Sequence, residues 1–307
     1  MILFQKQIQV NKVIPSFLVR FFLLFLITSF FSLNSLGGKT PFPARGFAKI
    51  LTKNEAALRL DSYRLFVGRD LNSTSFHQGY AFRFRLRHMP RRGKEFSRTG
   101  TIYGLALGHG LSRIDFDPTS IDTHSKKFLL QNGPKPSVWV YLPSENKSKL
   151  LNEVELFQPL IAEMNQSPFD MLMPFVFWNA EYVKSGKVAG RPSHLYSFSA
   201  PQWVQNTRPE ITQIIMALDE NYEAPLRIET FAQSNVPDRT FILNSLKKVS
   251  DHWIVKSLDC KDRQTRSNTR FEVISAALNL DLDLSLMSAA GLLNKPLIPE
   301  DAFISTR

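Results

Sequence analysis

The feature that most restricts the fold is a strict alternation that begins at Tyr80. Tyr80, Phe82, Phe84 and Leu86 occupy one set of positions, and Ala81, Arg83, Arg85 and Arg87 occupy the other. A period of two places the first set on one face of a strand and the second on the opposite face, so the segment belongs to a sheet with an apolar side and a cationic, hydrated side. Further runs of strand character, bounded by turn residues, lie at 101–107, 111–116, 127–131, 137–142, 194–199, 211–218, 226–233, 240–249, 253–258 and 270–274. Their connections are short and no strand–helix alternation recurs. An antiparallel sheet, curled or partly closed, is therefore expected in preference to a parallel α/β fold.

Helices interrupt this series at a few points. Thr52 and Glu55 have the spacing of a capping box, in which a hydroxyl and a carboxylate satisfy backbone N–H groups at a helix start. Ala56, Leu60, Tyr63 and Val67 follow at helical spacing. Residues 152–164 and 168–178 are further helical candidates, the second apolar on almost every side, and 284–290 reads as a last helix ended by Gly291. The Gly- and Pro-rich stretch 38–46 reads as a flexible lead-in, and the tail beyond Lys295 as loose.

The first acidic residue is Glu55; before it, Lys6, Lys12 and Arg20 precede the apolar run 21–33. This order of charge then apolar core is that of a secretory signal, and the run is shorter than the 20 or so apolar residues of a spanning helix. Cleavage near Gly37 and a periplasmic location are expected. About 270 residues then remain, with 35 basic against 27 acidic side chains, a net charge of +8. Cys260 is the sole cysteine, so no internal disulfide exists and the thiol is expected to be buried or half-buried.

The usual catalytic signatures are missing. The six histidines have no metal-ligand spacing, Gly104, Gly108 and Gly110 read as turn glycines, and no Gly-x-Ser-x-Gly elbow is present. Lys184-Ser185-Gly186-Lys187 reads as a hairpin tip between Val183 and Val188, and Asp115 and Asp117 as surface aspartates at a strand end. Neither catalysis nor a cofactor nor nucleic-acid binding is expected. The positive signal is aromatic: 25 Phe, 7 Tyr and 4 Trp. They furnish either an ample core or the lining of an apolar hollow with the oily segment 168–178 as its lid; Phe84 is expected to face such a hollow.

From Gln131 onward several runs resemble the LolA/LolB family of periplasmic outer-membrane lipoprotein-sorting proteins, in a divergent branch. Leu130-Gln131-Asn132-Gly133 leading to Val138-Trp139-Val140-Tyr141-Leu142-Pro143 is similar to that family's turn and W-x-Y-x-P strand. Phe169-Asp170-Met171-Leu172, Val188-Ala189-Gly190-Arg191-Pro192 and Ala217-Leu218-Asp219 through Ala224-Pro225-Leu226-Arg227-Ile228-Glu229 follow in the family's order, as does Lys247-Lys248-Val249 to Trp253-Ile254-Val255. The resemblance covers about 80–278; beyond Asn279 the chain is longer and more apolar. It implies a β-rich α+β fold, an unclosed half β-barrel with helices over its open side, holding acyl chains of a lipoprotein or lipid without cofactor or covalent chemistry. Lining candidates are Tyr80, Phe82, Phe84, Leu86, Trp139, Tyr141, Phe175, Phe177 and Trp178. The implied organisation is a signal peptide at 1–37, a lead-in and helix at 38–78, the half-barrel at 79–278 and an extension at 279–307. The implied partners are lipoprotein or lipid acyl chains and membrane-bound donor and acceptor proteins, with the carrier itself a monomer. The alternative is an envelope sensory module of the same fold that regulates a membrane partner.

Overall fold

The computed structural model describes residues 48–68, 78–108, 110–119, 126–162 and 164–307. The secretory-type segment and the lead-in before residue 48 lie outside these residues. The first element, α1 (Lys53–Val67), starts with the expected capping box: the Thr52 hydroxyl accepts from Glu55 N and the Glu55 carboxylate accepts from Thr52 N. Its apolar face buries Ala56, Leu60 and Tyr63.

Two antiparallel meanders follow. The first runs β1 (Gly79–Met89), β2 (Phe96–Gly104), β3 (Leu111–Phe116), β4 (Lys127–Gln131), β5 (Ser137–Leu142) and β6 (Lys147–Leu150). The second runs β7 (Ala180–Val188), β8 (Arg191–Ser199), β9 (Gln213–Asp219), β10 (Pro225–Phe231), β11 (Arg239–Val249), β12 (His252–Asp262) and β13 (Ser267–Leu280). β1 pairs with β13 and joins the meanders into one sheet whose edges are β6 and β7. The sheet does not close, as the strand alternation and the family resemblance together led one to expect. A bulge strengthens the bend at the seam: Phe84 faces Val273 and Arg83 faces Ser275, so Ile274 is extra. Val273 and Ala276 consequently both turn into the core.

Residues 151–179 connect the two edge strands and so must cross the open side. Among the described residues of 152–164 the expected helix is not formed. Only a single 3-10 turn, Glu155–Phe157, appears, because Pro159 lacks an N–H and forces Gln158 into extended backbone (φ −78°, ψ 148°). Segment 168–178 is helical in two short pieces, α2 (Pro168–Leu172) and the 3-10 turn Pro174–Phe177. Pro174 separates them by excluding Met173 from the α region, and Met173 takes φ 50°. A last short helix, α3 (Gln202–Thr207), lies between β8 and β9.

Three further expectations are corrected. The Lys184–Lys187 tetrad lies within β7; the turn is one step later, at Ala189 (φ 49°) and Gly190 (φ 82°), the two positive angles that a tight hairpin requires. Gly291 does not end a helix at 284–290, where two 3-10 turns, Leu284–Met287 and Ala290–Leu293, form instead. The tail is not loose. It forms the 3-10 turn Glu300–Ala302 and a short strand, β14 (Ile304–Ser305), which pairs with β13 where β12 has diverged from it, and Thr306 is buried.

Candidate functional site: the two faces of the sheet

The inner face carries one contiguous apolar core. β1 contributes Phe84 and Leu86, β3 Ile114 and Phe116, β4 Phe128 and Leu130, and β13 Phe271 and Val273. The crossing segment fills the hollow with Leu156, Phe157, Leu160, Ile161, Phe169, Leu172, Phe175 and Trp178. Seven of the nine residues singled out by sequence lie on this face. Phe84, Leu86, Phe175 and Trp178 are buried, Phe82 and Phe177 pack against them, and Tyr80 stacks on Phe82 with ring centres 4.5 Å apart. Phe84 does not border an open hollow: Phe271 stacks on it at 5.3 Å, Phe116 meets it edge-on at 5.5 Å, and Gly100 lies close enough that an added Cβ would fall 2.9 Å from its Cζ. Trp178 is held among Phe169, Phe175 and Trp203, and its buried indole N–H has no hydrogen-bond partner among the described residues.

The cover is fastened by polar contacts at its middle and towards its C-terminal end. Arg239 on β11 pairs with Asp170 at 2.9 Å and also donates to the Asn165 carbonyl. Asn165 donates to Cys260 O at 3.1 Å and Gln166 to Thr269 O at 3.1 Å. From the other side, Arg64 of α1 donates to Val176 O and Trp178 O, each at 2.6 Å. Cys260 is buried beneath this clasp, as expected, and burial pushes its thiol up to about 12 despite the neighbouring Arg239.

Trp139 and Tyr141 are not with the others. They alternate onto the outer face, half-buried beside Leu105, Leu111, Leu129, Met287 and Leu292. Residues 283–307 cover this face through a polar frame that sequence reasoning missed. Arg113 is fully buried, donates two bonds to Asp115 (2.7 and 2.8 Å) and reaches the carbonyls of Leu286, Gly291 and Asn294. Asp115 is therefore a buried counter-charge, whereas Asp117 is exposed. Arg83 pairs with Glu300 through two bonds and stacks over Phe303 at 3.8 Å. A cavity of about 650 Å³ lies between this face and the tail, lined by Arg83, Tyr103, Asp117, Lys127, Lys295 and Phe303 among others. Burial lowers the pKa of Lys127 there.

One Ser–His–acid arrangement occurs: Ser185 Oγ lies 2.9 Å from His194 Nδ1, and His194 Nε2 lies 3.9 Å from Glu220. The Ser185 hydroxyl already donates to Lys49 O at 2.5 Å, so its proton is not directed at the imidazole. Burial, with Arg59 nearby, lowers the pKa of His194 and favours the neutral ring. The group ties the segment before α1 to the β7–β8 hairpin rather than presenting a nucleophile. Among the described residues no three His, Cys, Asp or Glu side chains are grouped to hold a metal.

No family model matches the chain, and no curated protein matches it by sequence. Solved structures do match its fold. A domain described as an outer membrane lipoprotein-sorting protein from Vibrio parahaemolyticus superposes with a TM-score of 0.63 at 15% identity, over 78% of this chain and 99% of that one. A DUF1329 family protein from Desulfovibrio piger gives 0.60 at 16% identity over 78% and 96%. A LolA superfamily protein from Nitrosomonas europaea gives 0.55 at 11% identity over 78% and 98%. The chain thus has the open, curled-sheet fold of the LolA-type lipoprotein-sorting proteins, at low sequence identity.

Proposed function

We propose that the protein is a periplasmic carrier that accommodates acyl chains of a lipoprotein or lipid between the concave apolar face of its sheet and the segment 151–179. The observation that carries this reading is the nature of the cover. The inner face is closed by short turns rather than by a second sheet, and these turns are held by side-chain contacts from Arg239, Asn165, Gln166 and Arg64. Such a cover can leave without breaking a strand ladder. An acyl chain that takes its place gains on the order of 0.8 kcal/mol per buried CH₂, enough to replace aromatic contacts with Phe169, Phe175 and Trp178. Binding of this kind needs no nucleophile, metal or cofactor. Among the described residues no helix is long and apolar enough to cross a membrane. The charge-then-apolar start of the chain and the lipoprotein-sorting neighbour support export and a role in delivery between membrane-bound donors and acceptors.

The test is mass spectrometry of lipids retained by protein purified from its native envelope, joined to titration of delipidated protein with a fluorescent fatty acid. Retained acyl species and saturable binding that is lost on crosslinking the cover to β11 support the reading. An envelope-purified protein free of lipid that also fails to bind fatty acid overturns it.

A further inference from the structure

The cavity on the outer face is separated from the acyl site by the thickness of the sheet, and the argument for it does not depend on the carrier reading. Its charges do not cancel. Asp115 is neutralised by Arg113, and Glu300 by Arg83. Lys127 donates to the Leu292 and Leu293 carbonyls at 2.9 and 3.2 Å, leaving one of its three N–H groups unused by them, and its ammonium lies 5.3 Å from the centre of the Tyr141 ring. Among the described residues neither Lys127 nor Lys295 is within ion-pair distance of a carboxylate, and Asp117 is the one lining carboxylate without a cationic partner. Two ammonium groups therefore stand against one carboxylate. Partial burial of Lys127 strengthens the field it offers an anion, because water screens it less.

Apart from Thr101 and the Tyr103 hydroxyl, the rest of the wall is apolar. Tyr103, Pro118, Pro296, Ile298 and Phe303 line the cavity, and Leu297, 89% exposed, stands with them. A leucine that exposed gains from any apolar body that covers it. A volume of about 650 Å³ is that of a small-molecule site. We propose that this outer pocket binds a small acidic amphiphile, with its carboxylate or phosphate group at Lys127 and Lys295 and its apolar body along Tyr103, Phe303, Ile298 and Leu297.

Calorimetric titration of the mature protein with octyl phosphate, octanoate, octylamine and inorganic phosphate tests the proposal. The two acidic amphiphiles are expected to bind, octylamine at least tenfold more weakly, and inorganic phosphate more weakly still. Lys127→Gln and Lys295→Gln should each lower octyl phosphate affinity about tenfold or more and Lys127→Arg should retain most of it; Lys295→Gln should keep the wild-type melting temperature, and Lys127→Gln should stay folded with a slightly lowered one because it loses the bonds to Leu292 and Leu293 O. Crosslinking the cover to β11 should leave octyl phosphate binding intact while fatty-acid binding to the inner face is lost. Octylamine binding as well as octyl phosphate, or Lys127→Gln binding normally, overturns the assignment. Inorganic phosphate matching octyl phosphate would reduce the pocket to a simple anion site and refute the amphiphile. Loss of octyl phosphate binding on crosslinking the cover would place the ligand on the inner face and refute the outer site.

Discussion

The two faces of this sheet are closed by different means, and under the carrier proposal the difference separates what moves from what stays fixed. The inner face is covered by apolar bulk, an aromatic-rich segment whose clasping polar contacts lie at 165–170 and 176–178. The outer face is covered by the tail 283–307, whose apolar anchors, among them Met287, Leu292, Ile298 and Phe303, are joined by directed polar bonds from Arg113, Arg83 and the Thr306 hydroxyl and by the β14–β13 pairing. Dispersion and hydrophobic contacts are non-directional and can be re-made with an acyl chain. A fully buried arginine bonded to three carbonyls and a carboxylate cannot exchange partners so easily.

The largest expected effect probes the inner core. Phe84→Ala should cost roughly 3–5 kcal/mol in urea unfolding, since its ring is enclosed by Phe271, Phe116 and the strand backbone at Gly100. Trp139→Ala, a half-buried counterpart on the outer face, should cost only about 1–2 kcal/mol. Equal losses would erase the contrast between the faces, and a loss well under 2 kcal/mol at Phe84 would restore the picture of a ring beside an open hollow.

Next is the clasp. Asp170 pairs with Arg239 and its carboxylate accepts from Ser167 in the capping box of α2, so Asp170→Ala removes an ion pair and the carboxylate half of that box together, about 2–3 kcal/mol. If that energy holds the cover locally, labelling of the buried Cys260 thiol should accelerate by roughly 30–150-fold while the amides of the tail keep their exchange protection. Parallel acceleration at the tail would mean that the two covers open as one unit.

What was legible in the sequence follows the same division. Strands at 111–116, 127–131 and 137–142 were read to the residue, because alternation and bounding turns are local signals. The Thr52–Glu55 cap was legible for the same reason. Arg113 was not: an arginine alternating with Ile114 reads as the wet side of a strand, and only contacts more than 170 residues away, to 286–294, bury it. The tail was misread likewise, since Thr306 has no local pattern and finds its partners on β13. Of the nine lining candidates, alternation placed Trp139 and Tyr141 correctly on one shared strand face but could not say which face of the curled sheet that was.

Alkali should also test how well the inner face is shielded. Burial pushes Cys260 and Tyr196, both inner-face residues, up to about 12. In the unfolded chain a thiol ionises near 8.5 and a phenol near 10. Above pH 8.5 the unfolded state therefore releases protons that the native state retains, and stability present below that pH is lost progressively as pH rises towards 12. The Cys260 contribution should amount to about 2 kcal/mol by pH 10 and vanish in Cys260→Ala. Denaturant midpoints that stay flat from pH 8 to 10 in the wild type would show that the thiol is not shielded.

The smallest effect tests the outer cover. Thr306 is buried, and its hydroxyl donates towards the Val273 and Ile274 carbonyls at 2.6 and 3.0 Å while its backbone N–H donates to Ile274 O. Thr306→Val keeps the shape and the backbone bond but removes the hydroxyl, leaving the Val273 carbonyl without that donor. The expected loss is about 1 kcal/mol, the usual net worth of one neutral hydrogen bond. Because β14 fills the space that β12 vacates beside β13, the loss should appear as faster amide exchange at 304–307 and along 273–276, with Cys260 labelling unchanged. A global loss above about 2 kcal/mol would mean that the tail is part of the cooperative core, and the distinction between a movable inner cover and a separately fastened outer one would fail at its weakest joint.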